Sequence, residues 1–253
     1  QKYYPTDVMV NARDILFFWD ARMIMMGLYR TETTPFHTVY IHGWVLAPDG
    51  QKMSKSRGNG IFPDEVFQQY GADALRLWYF TDTLPGQDSP IRHEKLKGNR
   101  NFVNKIWNAS RFVMMQVTDL EEKERENVRK AVESHHKGMR SSRDEWEKET
   151  WELARSVTDY LDKFRFNLAV EALRESFWHR FCDVWIEETK TLIADHPEKR
   201  AEYLGRLIAI LIVQLKLLHP FVPFVTESVW QRLVEIGILD ESLLMVAPWP
   251  IEK

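Results

Sequence analysis

Residues 204–218 read LGRLIAILIVQLKLL and form the most apolar stretch of the 253-residue chain. Leucine and isoleucine recur there every three to four positions, which is the spacing of one helix face, and Pro220 ends the pattern. Arg206, Gln214 and Lys216 interrupt the stretch, so it is too polar to cross a bilayer. The stretch therefore predicts a helix buried in a bundle.

Every strong signal from Leu96 onward is helical. Further apolar stripes at helical spacing occupy residues 102–113, 151–164, 168–185 and 226–236. The charged region between them carries both signs, which is typical of a solvated helix face or hairpin. Four tryptophans lie on the stripes, and we expect them in the core rather than in base stacking: Trp107, Trp178, Trp185 and Trp230.

The first 95 residues alternate strand and helix signals. Residues 8–10 and 37–46 are apolar and predict strands, and residues 15–26 predict a helix that Gly27 ends. Apolar residues nearly encircle that helix, which predicts burial on both of its sides. Strand–helix–strand order predicts a parallel α/β layer, and we place the boundary with the helical part near residues 90–98.

Composition excludes some classes of protein. The 34 Lys and Arg against 37 Asp and Glu give a net charge of −3, which excludes a uniformly basic binder but leaves room for a local basic face. The single cysteine, Cys182, allows no internal disulfide and no cysteine-rich zinc cluster, as is typical of a reducing cytoplasm. Because the chain begins at Gln1 rather than at a methionine, we expect it to be a fragment.

Residues 51–59 read QKMSKSRGN and place three cations and two hydroxyl groups on a loop between a strand and a helix. Ammonium groups act as compact charges on phosphate oxygens, and hydroxyl and backbone donors orient them. The loop carries no general base, and it lacks the spacing of a Walker loop. It therefore predicts electrostatic stabilisation of a triphosphate and its pyrophosphate leaving group, with a mobile surface turn as the alternative.

The string KMSKS at residues 52–56 resembles the signature of class I aminoacyl-tRNA synthetases, and its surroundings are similar to the valyl-tRNA synthetase family. The similar stretches are FFWDARMIMMG at 17–27, YIHG at 40–43, YGADALR at 70–76, PGQD at 85–88, NFVNKIWNA at 101–109 and LHPFVPF at 218–224. The resemblance covers nearly the whole chain and thins at residues 118–148 and after Gly237. The isoleucyl family shares the signature loop and is the second resemblance.

The resemblance implies an α/β plus all-α fold. Residues 1–95 would be the C-terminal part of a Rossmann-like catalytic domain, with the KMSKS loop and a stem-contact region, and residues 96–253 a helical anticodon-binding domain. The implied reaction activates valine with ATP and esterifies it to tRNA(Val). Mg²⁺ would accompany ATP as its counter-ion, with no protein-bound metal. A cytoplasmic monomer without membrane contact is also implied.

The resemblance also implies site residues. Lys52 and Lys55 would contact the ATP phosphates, while Ser54 and Ser56 would position the loop. The remaining residues implied for ATP or the adenylate are Met53 beneath the adenine, Asp14 at the ribose, and His42 and Gly43 beside the adenine. For His42, a hydrogen-bonded core histidine is the alternative. The cations implied for tRNA binding, each of which could be an ordinary solvated charge, are Arg92, Lys95, Lys97, Arg100, Lys105, Arg111, Arg165 and Arg180.

Three departures from the family pattern limit the expectation. Ala12 stands where the family has glycine in Gly-x-Asp, so a methyl group is added near the nucleotide. Asp20 replaces an apolar residue, and we expect it to face solvent or to pair with Arg22 or Arg13. No His-Ile-Gly-His element and no editing domain are present, so the chain alone is not expected to be catalytic. A stand-alone tRNA-binding paralogue without aminoacylation, or a domain without an RNA role, is the alternative.

Overall fold

The computed structural model describes residues 2–240 and 242–251, and for Lys55 it describes the backbone only. The chain forms two compact units. The first unit comprises Gln1–Glu65 and Asp82–Lys95, and the second comprises Val66–Thr81 and Leu96–Lys253. Strands alternate with helices in the first unit, while the second is helical. The predicted α/β plus all-α fold class is confirmed.

The first unit is built on a pair of parallel strands, β1 (Thr6–Ala12) and β2 (Phe36–His42), in a register that sets Ala12 beside His42. A 3-10 turn, a π-helical segment (Leu16–Asp20) and helix α1 (Ala21–Thr31) connect them. The predicted strand–helix–strand unit is therefore confirmed. The other strands of this unit, β3 (Val45–Leu46) and β4 (Ser89–Pro90), also pair in parallel.

Helix α1 differs from its prediction in two respects. It continues past Gly27 to Thr31, and Gly27 is closely packed within it: a Cβ there would lie 2.6 Å from the hydroxyl oxygen at the end of the Tyr4 side chain. Burial on both sides is also wrong, since Phe17 is 74% and Met25 69% exposed. The two-stranded sheet of this unit is too narrow to cover the whole circumference of the helix.

Proline and glycine set the bounds of helices α2 (Pro63–Tyr70) and α3 (Ala72–Asp82). Pro63 occupies the first position of α2, where its missing N–H costs nothing. Gly71 adopts φ 85°, a left-handed conformation that glycine tolerates, and separates the two helices.

The second unit surrounds one buried helix. Its helices after α3 are α4 (His93–Thr118), α5 (Glu122–Gly138), α6 (Glu145–Asp162), α7 (Phe166–Glu175), α8 (Ile186–Asp195), α9 (Arg200–Leu218) and α10 (Pro223–Glu235), with a π-helical segment at Ser176–Trp185. The predicted core helix is α9, and it packs against α5 so closely that a Cβ on Gly205 would lie 2.4 Å from the Ala131 Cβ. Trp185 and Trp230 are buried as predicted, whereas Trp107 and Trp178 are half-buried against the core.

Side chains of α3 join the start of α10 within the second unit. Asp73 accepts the backbone N–H of Val225 at 2.8 Å and that of Phe224 at 3.3 Å. Arg76 donates to the carbonyl oxygens of Pro220 at 2.8 Å and Phe221 at 3.2 Å. The two stretches YGADALR and LHPFVPF are therefore bonded to each other.

None of the helices in residues 2–240 and 242–251 combines the length and apolar content that a bilayer crossing requires.

Candidate functional site

The candidate site lies where β1 and β2 end. Because the two strands are parallel and in register, the residues that follow them emerge at the same edge of the sheet. Arg13 and Asp14 follow β1, and Gly43 and Trp44 follow β2. Such an edge is the usual position of a ligand site in a parallel sheet, and the predicted residues Asp14 and Gly43 both reach it.

Gly43 allows another segment of the first unit to come close to this edge. A Cβ on Gly43 would lie 1.6 Å from the carbonyl oxygen of Gln87, a distance that no side chain could occupy. The backbone of residues 85–88 therefore packs directly on the end of β2, where His42 also bridges to Pro85. In this structure the glycine is required by protein packing, and its predicted place beside adenine stays a prediction.

Trp44 is the centre of the site. Its indole N–H donates to Asp14 Oδ1 at 3.2 Å, and the Lys52 ammonium nitrogen lies 3.8 Å from the centroid of its ring. The same ammonium is 3.8 Å from Asp14 Oδ2, and the Lys52 side chain is 60% exposed. The Arg13 guanidinium lies 4.4 Å from the indole centroid. The indole thus holds two cations by cation–π contacts and leaves the Lys52 donors accessible to an anion.

Asp88 completes the cluster. Its carboxylate accepts from Arg13 at 2.7 Å and from the backbone N–H of Trp44 at 2.9 Å. The hydrogen bond from Arg13, followed by the one from Trp44, lowers the pKa of Asp88 below its ordinary value. Asp88 therefore stays ionised and keeps the Arg13 guanidinium in place beside the indole.

The KMSKS loop is shaped by hydrogen bonds among its own residues. Asn59 accepts the backbone N–H of Ser54 at 3.0 Å, and the Ser54 hydroxyl is 3.3 Å from that of Ser56. Ser54 Oγ also accepts the backbone N–H of Arg57 at 3.3 Å. Lys55 begins a short 3-10 turn, and its side chain lies outside the described part. Hydrogen bonds of Ser54 thus shape the loop, while the positioning role of the two serines and the phosphate contacts of Lys52 and Lys55 stay predictions.

His42 and Met53 are both half-buried. His42 Nδ1 lies 2.8 Å from the carbonyl oxygen of Gly43, so one ring nitrogen is engaged by the backbone at the end of the strand. This contact is in keeping with the alternative of a hydrogen-bonded histidine at a strand end. The adenine contacts implied for the two residues stay predictions.

The surroundings of Asp20 differ from those expected from the sequence. It neither faces solvent nor pairs with arginine: it is 1% exposed, and its Oδ2 accepts from the Asn11 amide at 2.5 Å. Arg13 bonds Asp88 instead, and Arg22 lies over the Phe18 ring. The π-helical segment turns Asp20 towards β1, where the buried Asn11 provides the polar partner that a buried carboxylate needs.

Ala12 fits its position without backbone strain. Its backbone is extended, with φ −89° and ψ 157°, and no left-handed conformation is required there. The added methyl group therefore changes the space at the strand end rather than the course of the chain.

The cations predicted for tRNA binding are dispersed, and several are paired within their own unit. Lys95 pairs with Asp82 in the first unit. In the second unit Lys105 lies 3.3 Å from Asp183, and Arg180 bonds Glu149 at 2.6 and 2.9 Å, so that Glu149 raises the pKa of Arg180. Arg100 is half-buried and donates to a backbone carbonyl. The remaining four are exposed: Arg92, Lys97, Arg111 and Arg165.

Sequence reasoning missed the organising residues of the site. Trp44 directly follows the YIHG stretch, Asp88 is the last residue of PGQD, and Arg13 precedes Asp14. Neither Trp44 nor Asp88 was assigned a role, and Arg13 was expected only as a partner of Asp20. The available signal was a tryptophan directly after a strand-end glycine and two positions beyond a histidine. That signal does not reveal which cations the indole will contact.

Two known protein families match parts of the chain. Residues 1–92 match the family described as tRNA synthetases class I (I, L, M and V), and residues 144–253 match the anticodon-binding domain of tRNA ligase. The chain therefore carries class I tRNA synthetase and anticodon-binding domains. It is homologous to valine–tRNA ligases, being 41% identical to that of Carboxydothermus hydrogenoformans over 98% of this chain and 43% identical to that of Bacillus cereus over 99%.

The chain spans about 27% of the length of these ligases, so it corresponds to a partial region of the full enzyme. Its fold is similar to that of the Agrobacterium radiobacter K84 agnB2 LeuRS in a crystallised ternary complex with tRNA and LeuAMS. The TM-score is 0.66 at 20% identity, over 98% of this chain and 29% of that one. This likeness supports the fold.

Proposed function

We propose that this chain forms the part of a valine–tRNA ligase that holds the ATP phosphates and binds tRNA. The observation that carries the proposal is the position of Lys52. Trp44 and Asp14 hold its exposed ammonium at the strand edge where a ligand is expected. The identity of 40–43% with valine–tRNA ligases along nearly the whole chain supports valine as the amino acid.

Lys52 and Lys55 act on the leaving group in this proposal. When the carboxylate of the amino acid attacks the α-phosphorus of ATP, the bond to pyrophosphate breaks and negative charge accumulates on the departing oxygens. Two ammonium groups that meet that charge lower the barrier more than they strengthen ground-state binding. Ser54 and Ser56 orient the loop, and Asp14 accepts hydrogen bonds from the ribose hydroxyl groups.

Mg²⁺ belongs to the proposal as the counter-ion of the ATP phosphates. Residues 2–240 and 242–251 contain no group of three or more His, Cys, Asp or Glu side chains that could hold a metal ion. In the proposal the ion arrives bound to the triphosphate, and Lys52 and Lys55 share the neutralisation of the phosphate charge with it.

The second unit is proposed to bind tRNA, which the match of residues 144–253 to an anticodon-binding domain supports. Exposed cations such as Arg111 and Arg165 are suited to phosphate contacts, whereas Lys105 and Arg180 first have to exchange a carboxylate partner. A cytoplasmic location and a monomeric state are included in the proposal, on the family resemblance alone.

The test of the ATP role uses a chimera. This chain replaces the matching segment of the Bacillus cereus valine–tRNA ligase, and valine-dependent pyrophosphate exchange is measured. Lys52→Ala and Lys55→Ala are each expected to lower the exchange rate by about 100-fold, the loss typical of one charge-stabilising contact, with little change in the KM for valine. Lys148→Ala, an exposed lysine on α6, is the control for loss of a positive charge.

Unchanged exchange in both loop variants would contradict the proposed phosphate role. A chimera that binds tRNA but catalyses no exchange would instead favour the tRNA-binding protein without aminoacylation activity.

A further inference from the structure

One cavity in the second unit has walls of a single charge. It encloses about 590 Å³ between the C-terminal turn of α5, a 3-10 turn at Met139–Ser141, α6, the last turn of α9 and residues 248–251. Its cationic lining residues are Lys137, Arg140, Arg155 and Lys216, with His136 beside them, and its aromatic ones are Trp151 and Trp249. Among the described residues, no carboxylate lines it. We call this cavity the basic pocket.

Three of the cations make no ion pair with the residues that the structure describes. Lys137 lies 3.7 Å from Glu133, but Arg140, Arg155 and Lys216 make no ion pair within the described part of the chain. The carboxylates of Glu152 and Asp159 line a second cavity, which Arg155 also borders. Three uncompensated cations around one concavity attract a polyanion.

The helix dipole explains the positions of some of these cations but not of all. Lys137 and Lys216 lie in the last turns of α5 and α9, where a cation interacts favourably with the helix dipole. Arg140 and Arg155 do not, since Arg140 follows α5 and Arg155 lies in the middle of α6. Their guanidinium groups are exposed at the pocket, and dipole stabilisation gives no reason for their positions.

Burial disfavours the charged forms of two residues that line the basic pocket. It lowers the pKa of the half-buried Lys216, and burial together with the Lys216 charge lowers the pKa of His136. Both groups are therefore less easily charged in the pocket than in water. A bound phosphate would raise the pKa of both groups again, because its negative charge stabilises their charged forms.

The aromatic wall is rigidly placed. The Trp249 indole N–H donates to Thr158 Oγ1 at 2.9 Å, and Pro248 and Pro250 restrict the backbone on both sides. Trp151 is half-buried beside it. Trp249 packs against the core and also lines the pocket, so part of its indole borders the cavity. Every nucleobase can stack on an indole face.

We propose that the basic pocket binds a nucleotide of an RNA strand, with its phosphates on Arg140, Arg155 and Lys216 and its base against Trp249. The inference rests on the proposed function in taking tRNA as that RNA. It adds a contact separate from the eight cations implied by the family resemblance, none of which lines the pocket. The cavity volume lies within the range of about 300–1,000 Å³ that is typical of small-ligand sites.

The test measures binding of the full chain to a fluorescent tRNA(Val) transcript and to fluorescent hexauridylate by anisotropy at several salt concentrations. Arg140→Ala/Arg155→Ala is expected to weaken both complexes at least tenfold and to reduce the slope of log K against log salt by about 1.4 to 1.8, the value for two lost phosphate contacts. Lys123→Ala/Lys130→Ala on α5 removes the same charge away from the pocket, and we expect less than a twofold effect.

Lys216→Met separates binding from structure. Methionine retains the apolar stem and removes a partly desolvated charge, so we expect about tenfold weaker RNA binding without a lower urea midpoint. A lower midpoint with unchanged RNA affinity would assign Lys216 to helix stability and overturn its role in the pocket.

The remaining outcomes separate this inference from the proposed function. If tRNA binds and the double arginine variant binds equally well, the pocket assignment is overturned and the tRNA role remains. If only hexauridylate binds and that binding needs the two arginines, the pocket assignment holds and the tRNA role fails. If neither RNA binds, the pocket assignment and the tRNA role both fail. Displacement of hexauridylate by AMP, or equal binding of a hexaglutamate peptide, would identify a free-nucleotide or acidic-peptide site and overturn the assignment to RNA.

Discussion

Replacing Asp73 tests how the second unit begins its last helix. The N2 and N3 amides of α10 belong to Phe224 and Val225, and the residue in the capping position, Val222, has no side-chain acceptor. Asp73 accepts both N–H groups instead, at 3.3 and 2.8 Å, from a side chain that is 5% exposed. Asp73→Ala removes the acceptor from a buried position that water does not readily reach.

The expected loss of stability in Asp73→Ala combines two opposing contributions, the lost hydrogen bonds and the relieved desolvation of the carboxylate. Hydrogen bonds to a charged group contribute about 1.5–3 kcal/mol each, and loss of a helix cap costs about 0.5–2 kcal/mol. Burial raises the pKa of Asp73 despite these donors, so the ionised carboxylate also pays for its desolvation. We therefore expect Asp73→Ala to lower the free energy of unfolding by about 2–3 kcal/mol. Asp73→Asn, which accepts an N–H without a charge, should cost at most about 1 kcal/mol.

The assay is urea unfolding at pH 7.5, followed by far-ultraviolet circular dichroism. Glu122→Ala is the matched control, because Glu122 is an exposed acid in the first turn of α5; its expected cost is below about 0.5 kcal/mol. Equal losses for the alanine and asparagine variants, or a loss for Asp73→Ala no larger than that of the control, would refute the reasoning.

Three other predictions concern the second unit. Gly205→Ala should cost about 1–3 kcal/mol in urea unfolding, because the new methyl group meets Ala131 across α5 and α9; an unchanged midpoint would show that the helices separate freely. Burial raises the pKa of the Cys182 thiol from 9.0 to about 12. At pH 8 the folded chain should therefore react with a disulfide reagent about a thousandfold more slowly than the urea-unfolded chain. Comparable reaction rates would contradict this prediction. Burial lowers the pKa of His219 below 6.5, so the unfolded chain takes up this proton first and the free energy of unfolding should fall as the pH drops below about 6.5. His219→Gln should reduce the loss of stability between pH 7.5 and 5.5. An identical loss in the variant would contradict the role given to His219.

Local patterns were sufficient for much of the fold. The stripe at residues 204–218 predicts α9, and Pro63 and Gly71 predict the bounds of α2, because helical periodicity and backbone restriction act over a few residues. Burial of the apolar helix in the first unit was predicted wrongly. Its exposed Phe17 and Met25 show that periodicity reports which faces are apolar and not whether a neighbour covers them.

The candidate site was predicted only in part. The KMSKS loop has a chemistry that nine consecutive residues display, so its affinity for phosphate can be argued from the sequence. The cluster around Trp44 could not be predicted in this way, because Asp88 reaches it from 44 positions further along the chain. Asp20 shows the same limit, since its partner Asn11 depends on the packing of a π-helical segment against β1.

The sequence by itself determined the helices, the parallel strand pair, the cationic and hydroxyl-rich character of one loop and the resemblance to a synthetase family, all of which reside in short stretches. Only the tertiary structure decided that Asp73 caps a helix about 150 residues away and that cations from four separate elements line the basic pocket. Such partners are selected by the packing of whole helices, which fixes distances between side chains that no local preference specifies.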